Sequence, residues 1–176
     1  MNGRVRTGDV TGGGSGTARG TRYLLPRRPP GNQSGFCVSG EAGDPRFEVR
    51  AAPSDALVLE HPDGDEGCTI HEATLSLQRL MRISRRGHPA AWVRREVTVP
   101  VREHYAVDVG SAVLTVRGNV LDHDYTIRHG RRTVAAVSRA WAGAPEAYGV
   151  EVAPGQDDVL ILAVTVCLTL MSGGPG

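Results

Sequence analysis

The chain has 176 residues, 20 basic against 19 acidic and a formal net charge of +1, enough length for one domain with a real hydrophobic core. No run reaches the ~20 apolar residues of a membrane span, and the opening MNGRVRTGDVTGGGSG has no apolar h-region, so neither an integral membrane protein nor Sec-type secretion is expected. Cys37, Cys68 and Cys167 are odd in number and widely spaced with no CxxC pair, which argues against structural disulfides and fits a reducing cytoplasm.

Charge is unevenly spread. Residues 1–34 carry Arg4, Arg6, Arg19, Arg22, Arg27 and Arg28 against Asp9 alone, a net of +5, whereas 35–176 are net −4. Residues 1–21 read as a disordered Gly- and Arg-rich arm, 22–172 as one folded domain, and 173–176 as a flexible tail. Tyr23 is the one aromatic near the arm, which lacks an amphipathic helix, so the arm reads as a solvated leader and no nucleic-acid partner is expected. All 20 basic residues are Arg. That pattern reads as coding bias in a GC-rich genome rather than selection for bidentate phosphate contacts.

From about Thr21 the chain falls into short alternating runs. Phe47 and Val49 alternate with Glu48 and Arg50, and Leu57 and Leu59 with Val58 and Glu60. Met81 and Ile83 follow the same rule, then Tyr105, Val107 and Val109, then Leu114 and Val116. Tyr125 and Ile127 continue it, and Tyr148, Val150 and Val152 complete it. Period-two alternation marks strands buried on one face. Turn signals separate them: Gly43-Asp44-Pro45, Asp63-Gly64-Asp65, Arg86-Gly87-His88-Pro89, Val109-Gly110-Ser111 and His129-Gly130-Arg131. Two strands per hairpin over residues 22–152 predict about twelve strands.

The last stretch decides the architecture. After Ala153-Pro154-Gly155-Gln156-Asp157-Asp158, the thirteen residues Val159–Met171 contain only Thr165 and Thr169 as polar side chains. The length exceeds a usual strand, although Val, Ile and Thr are plentiful, and the two acids suit the first turn of a helix. A helix apolar on every side must be enclosed on every side. The spacing therefore predicts a helix over about 157–171, wrapped by a closed, mainly β, antiparallel barrel of twelve strands.

The run VRGNVLDHDYTIRHGRRTVAAVSRAW (116–141), followed by YGVEVAPGQDDVLILAVTVCL (148–168), closely resembles the LURP-one-related family; RYLL (22–25) and DPRFEVR (44–50) resemble its opening strands. The resemblance covers about 22–171. It implies a tubby-like fold, shared with phospholipid scramblases, of twelve strands around a central C-terminal helix. It carries no catalytic motif, and phospholipid contact is known in some members of the wider superfamily. PRRPPGNQSG (26–35) stands where the family has a basic-aromatic run, and Ala142-Gly143-Ala144-Pro145 follows Trp141 in place of a longer segment, so loosened first and eleventh strands are expected.

Candidate chemistry is sparse. In a strand Asp122 and Asp124 share a face and His123 takes the other, so with His129 they read as a polar turn whose carboxylates bond backbone amides rather than as a metal site. There is no GxSxG, Gly12–Gly16 lacks the context of a phosphate loop, and Asp63–Gly67 resembles a calcium loop without its closing Glu. No catalytic residue, cofactor or metal is expected, and a barrel filled by a helix has no interior room for substrate. What remains is Arg79, Arg82, Arg85, Arg86, Arg94 and Arg95 on two adjacent strands beside Trp92. Arginines of matching parity would form a landing surface for anionic headgroups; the bland alternative is a solvated wall with ion pairs to Glu96 and Glu103. Arg22, Arg27 and Arg28 form a second basic region. The expected function is a non-catalytic binding or scaffold barrel, cytoplasmic and peripheral to membrane. Its expected partner is anionic phospholipid or, alternatively, a protein, with an unrecognised hydrolase as the outside alternative.

Overall fold

The computed structural model describes residues 19–27, 35–64, 67–75, 78–96 and 104–172. The expected arm up to Ala18 and the tail at 173–176 lie outside these residues. Twelve strands follow in chain order: β1 (Thr21–Pro26), β2 (Phe36–Gly40), β3 (Pro45–Ala52), β4 (Ala56–Glu60), β5 (Cys68–Leu75) and β6 (Gln78–Arg85). They continue as β7 (His88–Glu96), β8 (His104–Val109), β9 (Ala112–Asn119), β10 (Asp124–His129), β11 (Arg132–Ser138) and β12 (Ala147–Val152). Each pairs antiparallel with its neighbours in sequence, and β1 closes the barrel against β12. Closure gives each of the twelve strands a partner on both sides.

The alternation read from the sequence is the wall of this barrel. Phe47 and Val49 are buried while Glu48 and Arg50 are exposed, and Met81, Ile83, Tyr125 and Ile127 likewise point inward. The tight turns fall where the glycines announce them. At the β6–β7 hairpin Arg86 and Gly87 have φ of 50° and 78°, the paired left-handed conformation that matches strand twist. Gly118 serves a different need. Its φ is 127°, and a Cβ there would stand 2.5 Å from the Asp124 carbonyl oxygen. Only glycine lets β9 approach β10 so closely.

The helix α1 (Asp158–Ser172) runs through the middle. Asp157 sits just before it, and its Oδ1 accepts from the Leu160 N–H at 3.1 Å, so it caps the helix rather than lying in the first turn. Every residue from Ile161 to Thr169 is buried, as are Val159 and Met171. The two threonines remain satisfied inside the core. Thr165 Oγ1 donates to the Ile161 carbonyl at 2.9 Å and Thr169 Oγ1 to the Thr165 carbonyl at 3.1 Å, while Tyr148 Oη lies 3.2 Å from Thr169 Oγ1. Buried hydroxyls bonded in this way avoid the penalty of an orphaned polar group.

The expected loosening is half right. β1 pairs with β12 along its whole length but meets β2 only at Tyr23↔Gly40 and Leu24↔Ser39. β11, in contrast, is a full strand of seven residues. The shortened segment after it is taken up by a 3-10 turn at Arg139–Trp141, capped by the Ser138 hydroxyl. Trp141 lies over Gly149, where a Cβ would come within 2.8 Å of the Trp141 Cβ. The missing bulk at Gly149 is what seats the indole.

Candidate functional site

β6 and β7 pair as the arginine cluster requires, with Leu80↔Arg94, Met81↔Val93 and Arg82↔Trp92 in register. Arg86 lies in the β6–β7 turn rather than on a strand, and strand parity divides the other five arginines. Arg82 and Arg94 share the outward face with Trp92. Arg79 and Arg85 share the inward parity of Met81 and Ile83, six residues apart and hence ~20 Å from each other along the strand. The two therefore stand at opposite rims of the barrel, each against one end of α1.

At the rim where the helix begins, Arg85 makes a bidentate pair with the capping Asp157, Nη1 to Oδ2 at 2.7 Å and Nη2 to Oδ1 at 3.0 Å. Burial opposes ionisation of Asp157, but the bonds from Arg85 and the Leu160 N–H outweigh it and hold its carboxyl below the usual range. Tyr23 Oη on β1 donates to Asp158 Oδ2 at the same rim. At the other rim Arg79 Nε lies 2.5 Å from Glu72 Oε1, and its Nη1 donates to the Leu170 carbonyl at 3.1 Å. A guanidinium there answers a carbonyl that the helix leaves unpaired at its end. Arg95 follows the inward parity of Ala91 and Val93 but lies beyond the packed interior and is exposed.

The outer wall keeps Arg82, Trp92 and Arg94 together. The Arg82 guanidinium lies 5.9 Å from the Trp92 ring centre, and its Nε is buried with no hydrogen-bond partner among the described residues. Arg94 donates from Nε to Asp108 Oδ2 at 2.9 Å and from Nη1 to Glu96 Oε1 at 3.0 Å; its pKa is raised first by the Asp108 bond. The ion pair expected with Glu96 is thus present, and Glu103 lies outside the described residues. In the second basic region, Arg22 pairs with Glu151 at 2.7 Å and lies 5.3 Å from the Trp141 ring. The Arg27 amide donates to the Glu146 carbonyl at 2.6 Å, and Arg28 is outside the described residues.

Around His123 the side chains diverge. Residues 120–123 form a turn, with the His123 amide donating to the Val120 carbonyl at 3.1 Å. Asp122 accepts from the Asn119 side-chain amide at 2.6 Å rather than from backbone, and Asp124 begins β10. His123 instead turns inward. It is buried and stacks on Tyr148 with ring centres 4.1 Å apart and planes 5° from parallel. Burial, joined by the charges of Arg27 and Arg139, lowers its pKa. The sequence signal that could have revealed this is the turn itself: a φ of 52° breaks the two-residue period on which the strand reading relied. Of the cysteines, Cys37 is exposed, whereas burial pushes the Cys68 thiol up to about 12 and the Cys167 thiol up as well.

With this geometry in view, the sequence model of one family, described as LURP-one-related, matches residues 27–169. An X-ray structure of a protein from Arabidopsis thaliana is similar in fold, with a TM-score of 0.63 and 20% identity over 85% of this chain and 90% of that one. A comparison with curated proteins finds no match.

Proposed function

The chain belongs to the LURP-one-related family, and on that premise we propose that it is a non-catalytic binding barrel, working at the cytoplasmic face of a membrane through its outer wall, with anionic phospholipid headgroups as the partner. The helix on the barrel axis carries this reading. α1 occupies that axis with Ile161 to Thr169 all buried, which leaves no lumen for a large ligand, so recognition of a membrane or protein surface falls to the exterior. On that exterior Arg82 and Trp92 set a planar cation beside an aromatic ring, a combination suited to a headgroup layer. Arg94 adds less, because Asp108 and Glu96 already hold it. The same balance favours a second reading, a protein partner: the row is close to neutral, and Trp and Arg dominate binding energy at protein interfaces.

Co-sedimentation with vesicles at low salt tests the proposal, comparing phosphatidylserine-rich with pure phosphatidylcholine vesicles. Arg82→Gln is the variant of choice, since reversing Arg94 would crowd a third carboxylate against Asp108 and Glu96. The expected result is binding to the anionic vesicles only, weakened several-fold by Arg82→Gln with no change in the unfolding midpoint. Absence of binding at low salt, where electrostatic attraction is strongest, removes the lipid and leaves the protein partner.

A further inference from the structure

At the carbonyl end of α1 the helix does not fill the barrel. Ala56, Leu57, Ile70, Met81 and Leu170 wall a cavity of about 180 Å³ between α1 and the β3–β4 hairpin. Its floor is apolar and out of water: Ala56, Ile70 and Met81 are all buried. Protein interiors seldom leave voids larger than a water molecule. This one is comparable with the ~150 Å³ apolar cavity that admits benzene.

The polar groups stand at its mouth: Asp55, Glu72 and Arg79. Glu72 is already neutralised by Arg79, whose two nitrogens lie 2.5 Å and 3.1 Å from its carboxylate oxygens. The charge left facing the void is therefore Asp55. The helix end adds little to that charge, because Arg79 Nη1 also donates to the Leu170 carbonyl at 3.1 Å. Asp55 is exposed at the turn of the β3–β4 hairpin. It has φ of 55° and follows Ser54 at 67°, two successive non-glycine residues in the left-handed region, a sparsely populated conformation that persists where the surrounding structure fixes it.

We propose that this cavity binds a small amphipathic amine, with an apolar body of about six carbons among Ile70, Met81 and Leu170 and a protonated ammonium at the mouth against Asp55. An apolar floor with a charged mouth is a usual construction of a small-molecule site, the floor supplying affinity and the charge orientation. A carboxylate or phosphate head would meet a mouth where Asp55 and Glu72 outnumber Arg79, and would be disfavoured. The site is separate from the outer-wall row at Arg82 and Trp92 and stands or falls independently of it.

Hexylammonium, hexanoate and hexan-1-ol are suitable probes, titrated into the full chain while the Met81 methyl carbon resonance is followed. The expected result is a saturable shift with hexylammonium at about tenfold lower concentration than with hexanoate. Asp55→Asn, which keeps a residue that tolerates φ above zero, should weaken hexylammonium several-fold and leave hexan-1-ol unchanged. Ala56→Leu should abolish binding by filling the floor; if that variant fails to fold, Ala52→Leu at the mouth serves instead. Equal binding of hexanoate, no saturable shift with any probe, or unchanged binding in a folded filled variant would overturn the proposal.

Discussion

His123 shows how much one residue in an unusual conformation commits. Its backbone is left-handed at φ 52°, its ring is stacked on Tyr148, and its Nδ1 is buried with no partner among the described residues. Protonation would place a charge there, so the folded state favours the neutral imidazole and its pKa is lowered, with burial the first cause. The unfolded chain takes up its proton near pH ~6.5, before the folded one does. Stability from this residue is therefore complete above that pH, declines as pH falls toward the folded value, and levels off below it. Urea midpoints at pH ~7.5 and ~5.5 should differ in the wild-type chain, with much of the difference gone in His123→Asn, which tolerates the same backbone. An equal pH dependence in the variant would place its origin elsewhere.

At the scale of elements, two arginines of one strand hold both ends of one helix. Arg85 grips Asp157 ahead of α1, and Arg79 meets the Leu170 carbonyl near its end. The two contacts at the start of α1 differ in strength. Asp157→Ala removes the cap as well as the ion pair and should cost about 1–2 kcal/mol. Arg85→Ala leaves the cap, and the pair is 33% and 42% exposed, so it should cost no more than about 1 kcal/mol. Because the Asp157 pKa is lowered, this contribution is present above pH ~4 and lost as pH falls below it. Urea midpoints of the two variants settle the order, and a larger loss for Arg85→Ala would contradict it.

The elements themselves were legible in the sequence. Period two in Phe47–Val49 or Tyr125–Ile127 and the glycines at 87, 110 and 130 mark strands and turns through local geometry alone. Val159–Met171 reads as an enclosed helix because it is apolar on every side. The arginine cluster was only partly legible. Pairing of β6 with β7 brings Arg82 and Arg94 together as expected, but the same parity that buries Met81 and Ile83 sends Arg79 and Arg85 to the rims. Their partners there, Glu72, Leu170 and Asp157, depend on where the helix ends relative to the wall. No short-range pattern encodes that distance. His123 was hidden for a related reason, since one left-handed residue between a turn and a strand resets which face follows.

In the whole molecule, the first and last strands and the helix belong to one closed structure. β1 pairs with β12 from Thr21↔Val152 to Pro26↔Ala147, and Tyr23 on β1 bonds Asp158 at the start of α1. Among the described residues, the wall buries its inner face against α1. Without α1, the inward side chains of twelve strands would face a cavity far larger than those left by single core substitutions, which already cost about 2–5 kcal/mol. The most direct measurement is therefore urea unfolding, with sheet content followed by circular dichroism, of the chain ended after Gln156 beside the full chain. A single cooperative transition is expected for the full chain, and no cooperative transition or stable sheet for the shortened one. A shortened chain that stayed soluble, kept its sheet signal and unfolded cooperatively would contradict a barrel built around its helix.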